Sequence, residues 1–335
     1  MTMNKKNTLK VGGLLTVGLF TLSACAGNGS EAAADADTGA LRSITIAVPP
    51  NAHALGPATA LQEGFFEEAG LDVSLEHIQS GAEGAALLAG GDAQFAIFSI
   101  DNAINSVVEG HNNILTVPLA QQGPERSDEP HGFGPIIVEA GGDIESLQDL
   151  EGQRIGTSVL GGEAYLNAYQ VLEDEGVDVS TIEWIQIPGP QQVSAVLQGQ
   201  VAAAVTAEPN VSIGMLDGTI EPLINGDGVL PNAPAFALAS DRTWAEENAD
   251  LVRSVQNAVL EANTLLNSDR ELAETSISEY MDLEDEVVSM MKMPRYSEEP
   301  LTAEDLQAVA DRLVEFDILA QDEMPSLEDV IFNAE

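Results

Sequence analysis

A single cysteine, Cys25, is present in the sequence, so no disulfide bond can form within the chain. Aromatic residues make up only 4% of the chain, and a large aromatic cage around a ligand is therefore not expected. Lysine and arginine together number 12 against 55 aspartates and glutamates. The resulting net charge of −43 argues against nucleic acid or an anionic membrane surface as a binding partner.

The short motifs of common catalytic and nucleotide-binding sites are also missing. The sequence has no G-x-S-x-G, no P-loop, no G-x-G-x-x-G and no H-E-x-x-H. The four histidines, His53, His77, His111 and His131, lie far apart without the paired spacing of a zinc site. We therefore expect no metal, no cofactor and no catalysis, and a binding role instead.

The N-terminus predicts export and lipidation. Lys5, Lys6 and Lys10 precede an apolar segment, residues 11–22, which is shorter than the roughly 20 residues that span a bilayer. The segment ends in Leu22-Ser23-Ala24-Cys25, which resembles the lipobox of bacterial lipoproteins. A plain signal peptide with an incidental cysteine is the alternative. We predict a signal peptide over 1–24, lipidation of Cys25, and a flexible tether over 25–42 with a reach of about 20 Å.

Cleavage before Cys25 would remove three lysines and no acid, which takes the net charge from −43 to −46. Lys292 would then be the one lysine left. Such a surface is typical of proteins adapted to high salt, where screening is strong. A secreted protein from a moderately salt-tolerant bacterium is the second interpretation, and the sequence leaves both open.

The remaining chain alternates between strand and helix patterns, which predicts an α/β fold. In the stretch 63–99, Gly70 ends a helix, residues 71–75 alternate as a strand does, a helix over 82–88 stops at Gly90-Gly91, and 94–99 is a buried strand. Further strands are predicted over 43–48, 113–120, 135–138, 153–157, 182–187, 201–206 and 221–224. From residue 235 we expect helices, with a core-facing stripe through Leu251, Val255 and Val259 and a helix start at Thr302.

Several of these segments resemble a known family. Residues 64–73, then Gly81 and Gln94-Phe95-Ala96-Ile97 with Ser99, are similar to the first lobe of ABC-importer solute-binding proteins of the nitrate, sulfonate and taurine type, a group that includes thiamine-precursor binders. Residues 144–156 resemble the opening of that family's second lobe, and 197–204 with Glu208-Pro209 resemble its later strand.

The resemblance implies a two-lobed, periplasmic-binding-protein-like fold. Each lobe would be a mixed sheet flanked by helices, and two crossings would join the lobes. The first lobe would comprise residues 43–121 and a helical second part, 235–335, with the second lobe over 122–234 inserted between them.

The candidate site follows from the topology of such a fold, because ligands bind beyond the carboxyl ends of strands and at the helix starts that follow. Glycines there let backbone N–H groups approach a ligand, and hydroxyls add donors. A helix cap or a tight turn is the alternative role at every one of these positions. The candidate ligand-binding residues are Asn51, Ala52, His53, Ser80, Gly81, Ala82, Ser99 and Asp101 in the first lobe, and Thr157, Ser158, Gly161, Gly162, Glu163, Glu208 and Asn210 in the second.

This set contains acids but no lysine or arginine. Asp101, Glu163 and Glu208 would suit a ligand that also carries an amine, as taurine does. Backbone amides and helix dipoles can hold a monoanion without a cation, and a neutral pyrimidine of the thiamine-precursor kind is equally compatible.

The function implied by the resemblance is capture of a small solute and its delivery to ABC permease subunits by a monomeric, lipid-anchored protein outside the cytoplasm. Pyrimidine synthases of the thiamine pathway share the fold, but they carry a cysteine-rich iron motif that this chain lacks. A ligand-sensing subunit for a membrane kinase is a further alternative.

Replacing Cys25 with serine is expected to release the protein into the medium or to leave its precursor uncleaved, because serine has no thiol to accept a lipid. Membrane fractionation with immunoblotting of the two forms is the measurement. A Cys25→Ser protein that still sediments with membranes in fully cleaved form would contradict the lipoprotein prediction.

Overall fold

The fold is known from a computed structural model that describes residues 41–123, 129–132 and 134–333. The predicted signal peptide, Cys25 and the tether up to residue 40 lie outside the described residues. The strands are β1 Arg42–Val48, β2 Leu71–His77, β3 Phe95–Ser99, β4 Asn113–Pro118, β5 Ala120–Gln121, β6 Pro135–Glu139, β7 Arg154–Thr157, β8 Glu183–Gln186, β9 Ala203–Val205, β10 Ile220–Asn225, β11 Phe236–Asp241 and β12 Arg295–Tyr296. The helices are α1 Leu55–Gln62, α2 Phe65–Glu68, α3 Gly81–Gly90, α4 Ile100–Val108, α5 Glu163–Asp174, α6 Gln192–Leu197, α7 Asn210–Leu216, α8 Arg242–Glu247, α9 Ala249–Ser268, α10 Arg270–Met281, α11 Asp285–Met290 and α12 Ala303–Glu315.

Two five-stranded mixed sheets with matching strand order organise the chain. The first sheet has the order β2-β1-β3-β11-β4 and the second, read in the same sense, β8-β7-β9-β6-β10. In each sheet the first three strands are parallel, and the last two are antiparallel to their neighbours. We call the part of the chain built on each sheet the first and the second lobe. The expected α/β fold with two mixed sheets flanked by helices is confirmed.

The first lobe buries its sheet between helices, which explains its near-continuous apolar strands. All five residues of β3 are buried, as expected for a central strand covered on both faces. Helix α9 packs on this core through the predicted stripe, since Leu251, Val255 and Val259 are all buried. Thr302 caps α12 in a reciprocal pair with Asp305, as its sequence predicts.

The segment after residue 235 opens differently from the expectation that it is helical. Residues Phe236–Asp241 form β11, which lies between β3 and β4 in the first sheet. Its sequence, FALASD, is short and rich in alanine, so neither alternation nor β-branched residues mark it as a strand. The pairing of Phe236 with Ser99 brings the start of β11 beside the end of β3.

Smaller differences lie at helix ends. The helix predicted to run up to Gly70 is broken at Gly64, whose φ of 82° separates α1 from α2. Ser99 occupies the N-cap position of α4, but its hydroxyl does not cap the helix. Helix α7, which begins at Asn210, was not predicted from the sequence.

The two lobes touch through α5 and α12. Leu166 of α5 is fully buried in the core of the first lobe, and Tyr169 of α5 packs edge-on against Phe316, which follows α12, with ring centroids 5.3 Å apart. Helix α12 itself belongs to the first lobe, where it packs against α4. In the ranges that the structure describes, no helix is both long and apolar enough to cross a membrane.

Candidate functional site

The wall of the first lobe is formed where β1 and β3 end. His53, in the short helix after β1, stacks on the ring of Phe236 with centroids 3.9 Å apart. Burial lowers the pKa of His53 to about 3, so its ring is neutral at physiological pH. Phe236 pairs with Ser99 at the end of β3, and Asp101 follows in the first turn of α4. These residues therefore form one continuous surface.

Asp101 is the most unusual residue of this wall. Its side chain is buried, and neither carboxylate oxygen has a hydrogen-bond partner within the described residues. Burial raises the pKa of Asp101 to about 6, and the nearby charge of Arg312, followed by the neighbouring Ser99 hydroxyl and Glu163 backbone, opposes that rise only in part. A carboxylate without hydrogen bonds in such a place is costly, because burial removes the water that would otherwise solvate it.

The wall of the second lobe is the first turn of α5, which follows β7 and the Gly161-Gly162 pair. Glu163 accepts a hydrogen bond of 2.8 Å from the side-chain amide of Asn167, one turn later in the helix. Burial raises the pKa of Glu163 to about 7; Arg312 lowers it, whereas Asp101 raises it. Asp101 and Glu163, from different lobes, are thus close enough for their charges to interact.

Arg312 of α12 interacts with both carboxylates through its charge and is not among the candidate residues predicted from the sequence. It is 2% exposed, and its Nη1 donates to the side-chain oxygen of Asn167. Its Nε and Nη2 have no hydrogen-bond partner within the described residues. Burial lowers the pKa of Arg312, while Glu163 and Asp101 raise it. We call Asp101, Glu163, Asn167 and Arg312 the interlobe cluster.

The burial of Arg312 could have been predicted from the sequence. It follows Val309 by three residues on the buried face of α12. A charged residue at the edge of an apolar stripe, in a chain with few cations, indicates a buried charge partner elsewhere. The sequence does not say which acid that partner is.

Hydroxyl groups at other strand ends are also buried without partners. Thr157 ends β7 and is fully buried, and its Oγ1 has no hydrogen-bond partner within the described ranges. Thr206, which follows β9, is also buried, and its Oγ1 likewise has no hydrogen-bond partner within the described ranges. Both therefore keep a free donor and acceptor at the carboxyl edge of the second sheet.

Glu208, in contrast, has its oxygens occupied by protein groups. One oxygen accepts from the His131 ring at 2.9 Å, the Ser212 hydroxyl at 2.9 Å and the Lys292 backbone N–H at 3.1 Å, and the other accepts from the Ser212 backbone at 3.0 Å. Because Lys292 follows α11 of the C-terminal half and Glu208 follows β9, this carboxylate joins the two lobes. Its expected role as a ligand contact has no support in these contacts.

Other candidate residues fall into three groups. Asn51 and Ser80 accept hydrogen bonds from the backbone of His53 and Glu83, so both act as helix caps, and the Ala52 carbonyl accepts from Tyr296. Gly161 and Gly162 shape the loop before α5, with Gly161 at φ 75° beside Ile318. The remaining candidates lie at strand ends or helix starts: Gly81 and Ala82 begin α3, Ser158 follows β7 and Asn210 begins α7. Among the described residues, no group of three or more histidines, cysteines or acids is placed to hold a metal ion.

Replacing Glu163 with glutamine is expected to flatten the pH dependence of stability. A folded-state pKa of about 7 against 4.5 means that the folded protein binds this proton more tightly, so the free energy of unfolding falls as pH rises through that window. The contribution is at most about 3 kcal/mol. Urea unfolding between pH 4.5 and 8 measures it, with Glu173→Gln on the exposed side of α5 as the matched control.

Asp101, Asp227 and Arg312 all face Glu163, so a residual slope from Asp101 is expected in the Glu163→Gln variant. Identical slopes in the wild type, the Glu163→Gln variant and the control would contradict the burial of Glu163 in this cluster.

Replacing Glu208 with glutamine should destabilise the ligand-free protein by about 1–3 kcal/mol, because an amide NH₂ cannot accept the hydrogen bonds that the carboxylate accepts. The exposed Glu221→Gln variant removes the same charge without these contacts. Equal unfolding free energies for the two variants would show that Glu208 does not hold the lobes together.

Comparison with solved structures gives the same architecture. A ligand-binding component of an ABC-type import system from Staphylococcus aureus, with zinc bound, is 15% identical with a TM-score of 0.74, over 87% of this chain and 96% of that one. The alkanesulfonate-binding protein SsuA from Xanthomonas axonopodis pv. citri, bound to MOPS, is 20% identical with a TM-score of 0.70, over 88% and 99%. The periplasmic nitrate-binding protein NrtA from Synechocystis is 14% identical with a TM-score of 0.70, over 87% and 86%.

The likeness to these three binding proteins shows that this chain has their fold, in which two mixed sheets are flanked by helices. No curated protein matches the chain at a significant level of sequence similarity. The family model described as NMT1/THI5 like matches residues 51–269, which is well over half of the sequence. The chain therefore belongs to the NMT1/THI5-like family.

Proposed function

We propose that the protein binds a small organic solute between its two lobes, in the sulfonate- or taurine-like or nitrate-like range, and delivers it to an ABC permease. The observation that supports this best is the interlobe cluster. Asp101 of the first lobe and Glu163 of the second lie at helix starts that follow strand ends, where ligands bind in α/β folds. Asn167 of α5 and Arg312 of α12 interact with them there.

The unpartnered atoms of this cluster suggest how binding and closure are coupled. In the arrangement that the structure shows, both Asp101 oxygens and two Arg312 nitrogens lack hydrogen bonds within the described residues. Each buried, unpartnered polar group costs about 1–3 kcal/mol, so closing without a ligand is unfavourable. A solute that satisfies these atoms would favour the closed state, and its differential affinity would drive the hinge motion.

The setting of the protein is part of the proposal. A lipid anchor on Cys25 would hold a monomer at the outer face of the membrane, next to the permease, with residues 25–42 as the tether. We also propose the lobe boundaries: residues 43–121 and 235–335 form the first lobe, residues 122–234 form the second, and two crossings join them. Binding without catalysis is the function that we infer for this site.

Two other functions are alternatives to delivery of a sulfonate-, taurine- or nitrate-like solute. A thiamine-precursor pyrimidine would also use donors and acceptors at these strand ends, and the NMT1/THI5-like family match favours including it. A sensor subunit would bind the same solute for a membrane kinase. Neighbouring genes for a permease and an ATPase, rather than for a kinase, would support the importer.

A thermal-shift screen of alkanesulfonates, taurine, nitrate and pyrimidines, followed by calorimetric titration, tests the proposed function. We expect at least one of these solutes to raise the melting temperature in a concentration-dependent manner, because a ligand that binds only the folded state stabilises it by mass action. The absence of any shift across the panel would contradict the proposal.

Ser99→Ala and Thr157→Ala are each expected to weaken binding of the solute found in that screen by roughly 10- to 150-fold, the equivalent of one hydrogen bond to a charged ligand. The ligand-free melting temperature should change little, because the Ser99 hydroxyl does not cap α4 and the Thr157 hydroxyl has no hydrogen-bond partner within the described residues. Ser106→Ala is a suitable control, since its hydroxyl donates to the Ala103 carbonyl inside α4. Unchanged affinity in both site variants would contradict these two residues as ligand contacts.

A further inference from the structure

The free edge of Arg312 has a defined shape. Asn167 accepts from Nη1, which fixes the guanidinium plane, and the two nitrogens left over, Nε and Nη2, lie side by side on one edge. That edge is a two-pronged donor that matches the two oxygens of a carboxylate, or two of the oxygens of a sulfonate. Because the side chain is 2% exposed, bulk water does not satisfy it.

Asp101 offers the opposite chemistry. An ionised carboxylate only accepts hydrogen bonds, and both of its oxygens are without a partner within the described residues. Asp101 and Arg312 interact through their charges, but neither donates to nor accepts from the other. A buried acid and a buried base that do not pair directly need a third group between them, one that accepts at one end and donates at the other.

The sign of the charge in the cluster limits what this group can be. The charges of Asp101 and Asp227 both act on Glu163, and Arg312 is the cation that acts on Asp101 and Glu163 alike. A simple anion would satisfy Arg312 but would add a negative charge beside three acids, and it would leave the Asp101 oxygens without donors. A solute with an anionic end and an ammonium end adds no net charge and satisfies both groups.

We propose that the solute is a small zwitterion, with a carboxylate or sulfonate bound along the free edge of Arg312 and an ammonium group bound to Asp101. Glu163 is the second acceptor for the ammonium group, and Asn167 orients both Glu163 and Arg312. This inference rests on the proposed function and narrows it: nitrate and simple alkanesulfonates lack the donor that Asp101 requires.

Matched pairs of probes test the inference by calorimetric titration at pH 8, where Asp101 is ionised. Taurine is compared with ethanesulfonate, and β-alanine with propionate, so that each pair differs by the amine. At least one zwitterion is expected to bind roughly 10- to 100-fold more tightly than its partner. Asp101→Asn should remove most of that preference, while Asp143→Asn, in an exposed turn, should retain it.

Arg312→Lys separates recognition of the anionic end from packing. Lysine keeps the charge but not the two-pronged edge, so affinity for the zwitterion should fall about 10-fold or more while the preference for the amine persists. If Arg312→Lys does not fold, the Asp101→Asn result decides alone, because asparagine has nearly the same shape and removes a buried, unpartnered charge.

The possible outcomes distinguish the zwitterion assignment from the solute-binding function on which it rests. Equal affinities within both pairs, or an unchanged preference in Asp101→Asn, would overturn the zwitterion assignment. Binding of nitrate, an alkanesulfonate or a pyrimidine with no response to either zwitterion would overturn it as well and leave the solute-binding function intact. Failure of every solute in the wider panel would instead contradict the function itself.

Discussion

Charged side chains buried between the two lobes are the constraint on which the rest of this structure depends. Moving a carboxylate or a guanidinium out of water is expensive, and only close partners offset that cost. The protein meets this constraint in two ways. At Glu208 four hydrogen bonds satisfy the carboxylate from within the chain, whereas at Asp101 and Arg312 the partners are incomplete. The first arrangement suits a fixed connection, and the second suits a place that another molecule completes.

The two sheets explain why these charges meet. Because the strand orders match, the carboxyl ends of β1, β2 and β3 have counterparts in those of β7, β8 and β9. Helix α4 follows β3 and helix α5 follows β7, so both begin at the carboxyl edge of a sheet, and Asp101 and Glu163 each lie in a first helical turn. Acids at this position are favoured by the helix dipole. Arg312 reaches the same place from the C-terminal end of α12, which contacts α5.

Local chemistry explains which parts of this picture were predictable. The caps at Gly91 and Thr302 and the apolar stripe of α9 depend on residues within one or two turns of each other, and all three were found from the sequence. Strand β11 was missed because an alanine-rich hexapeptide forms a strand only through its pairing with β3 and β4.

The candidate site was less accessible for the same reason. Strand ends and helix starts placed Asp101 and Glu163 in the candidate set, and their charges interact in the structure, but Arg312 is more than 140 residues away in the sequence from either of them. The candidate set therefore contained no cation, although Arg312 lies close enough to Asp101 and Glu163 for their charges to interact. Whether Glu208 is satisfied by His131 and Lys292 or left open for a ligand is likewise a matter of long-range contacts that no local pattern contains.

The acidity of the whole chain and the charge of the interlobe cluster act over different distances. A net charge of −43 repels an anionic solute in free solution, but salt shortens this repulsion to about 10 Å at 0.1 M and about 3 Å at 1 M. Groups buried between the lobes are screened much less, so the preference of Asp101 and Arg312 for a ligand persists at salt concentrations that remove the long-range effect. Overall charge therefore acts mainly on the rate at which a solute arrives, whereas the unpartnered atoms act on how long it stays. A zwitterion has no net charge, so the overall charge of the protein repels it little, while its two ends can bind the unpartnered atoms of Asp101 and Arg312. It is therefore the solute class that suits both the acidic surface and the interlobe cluster.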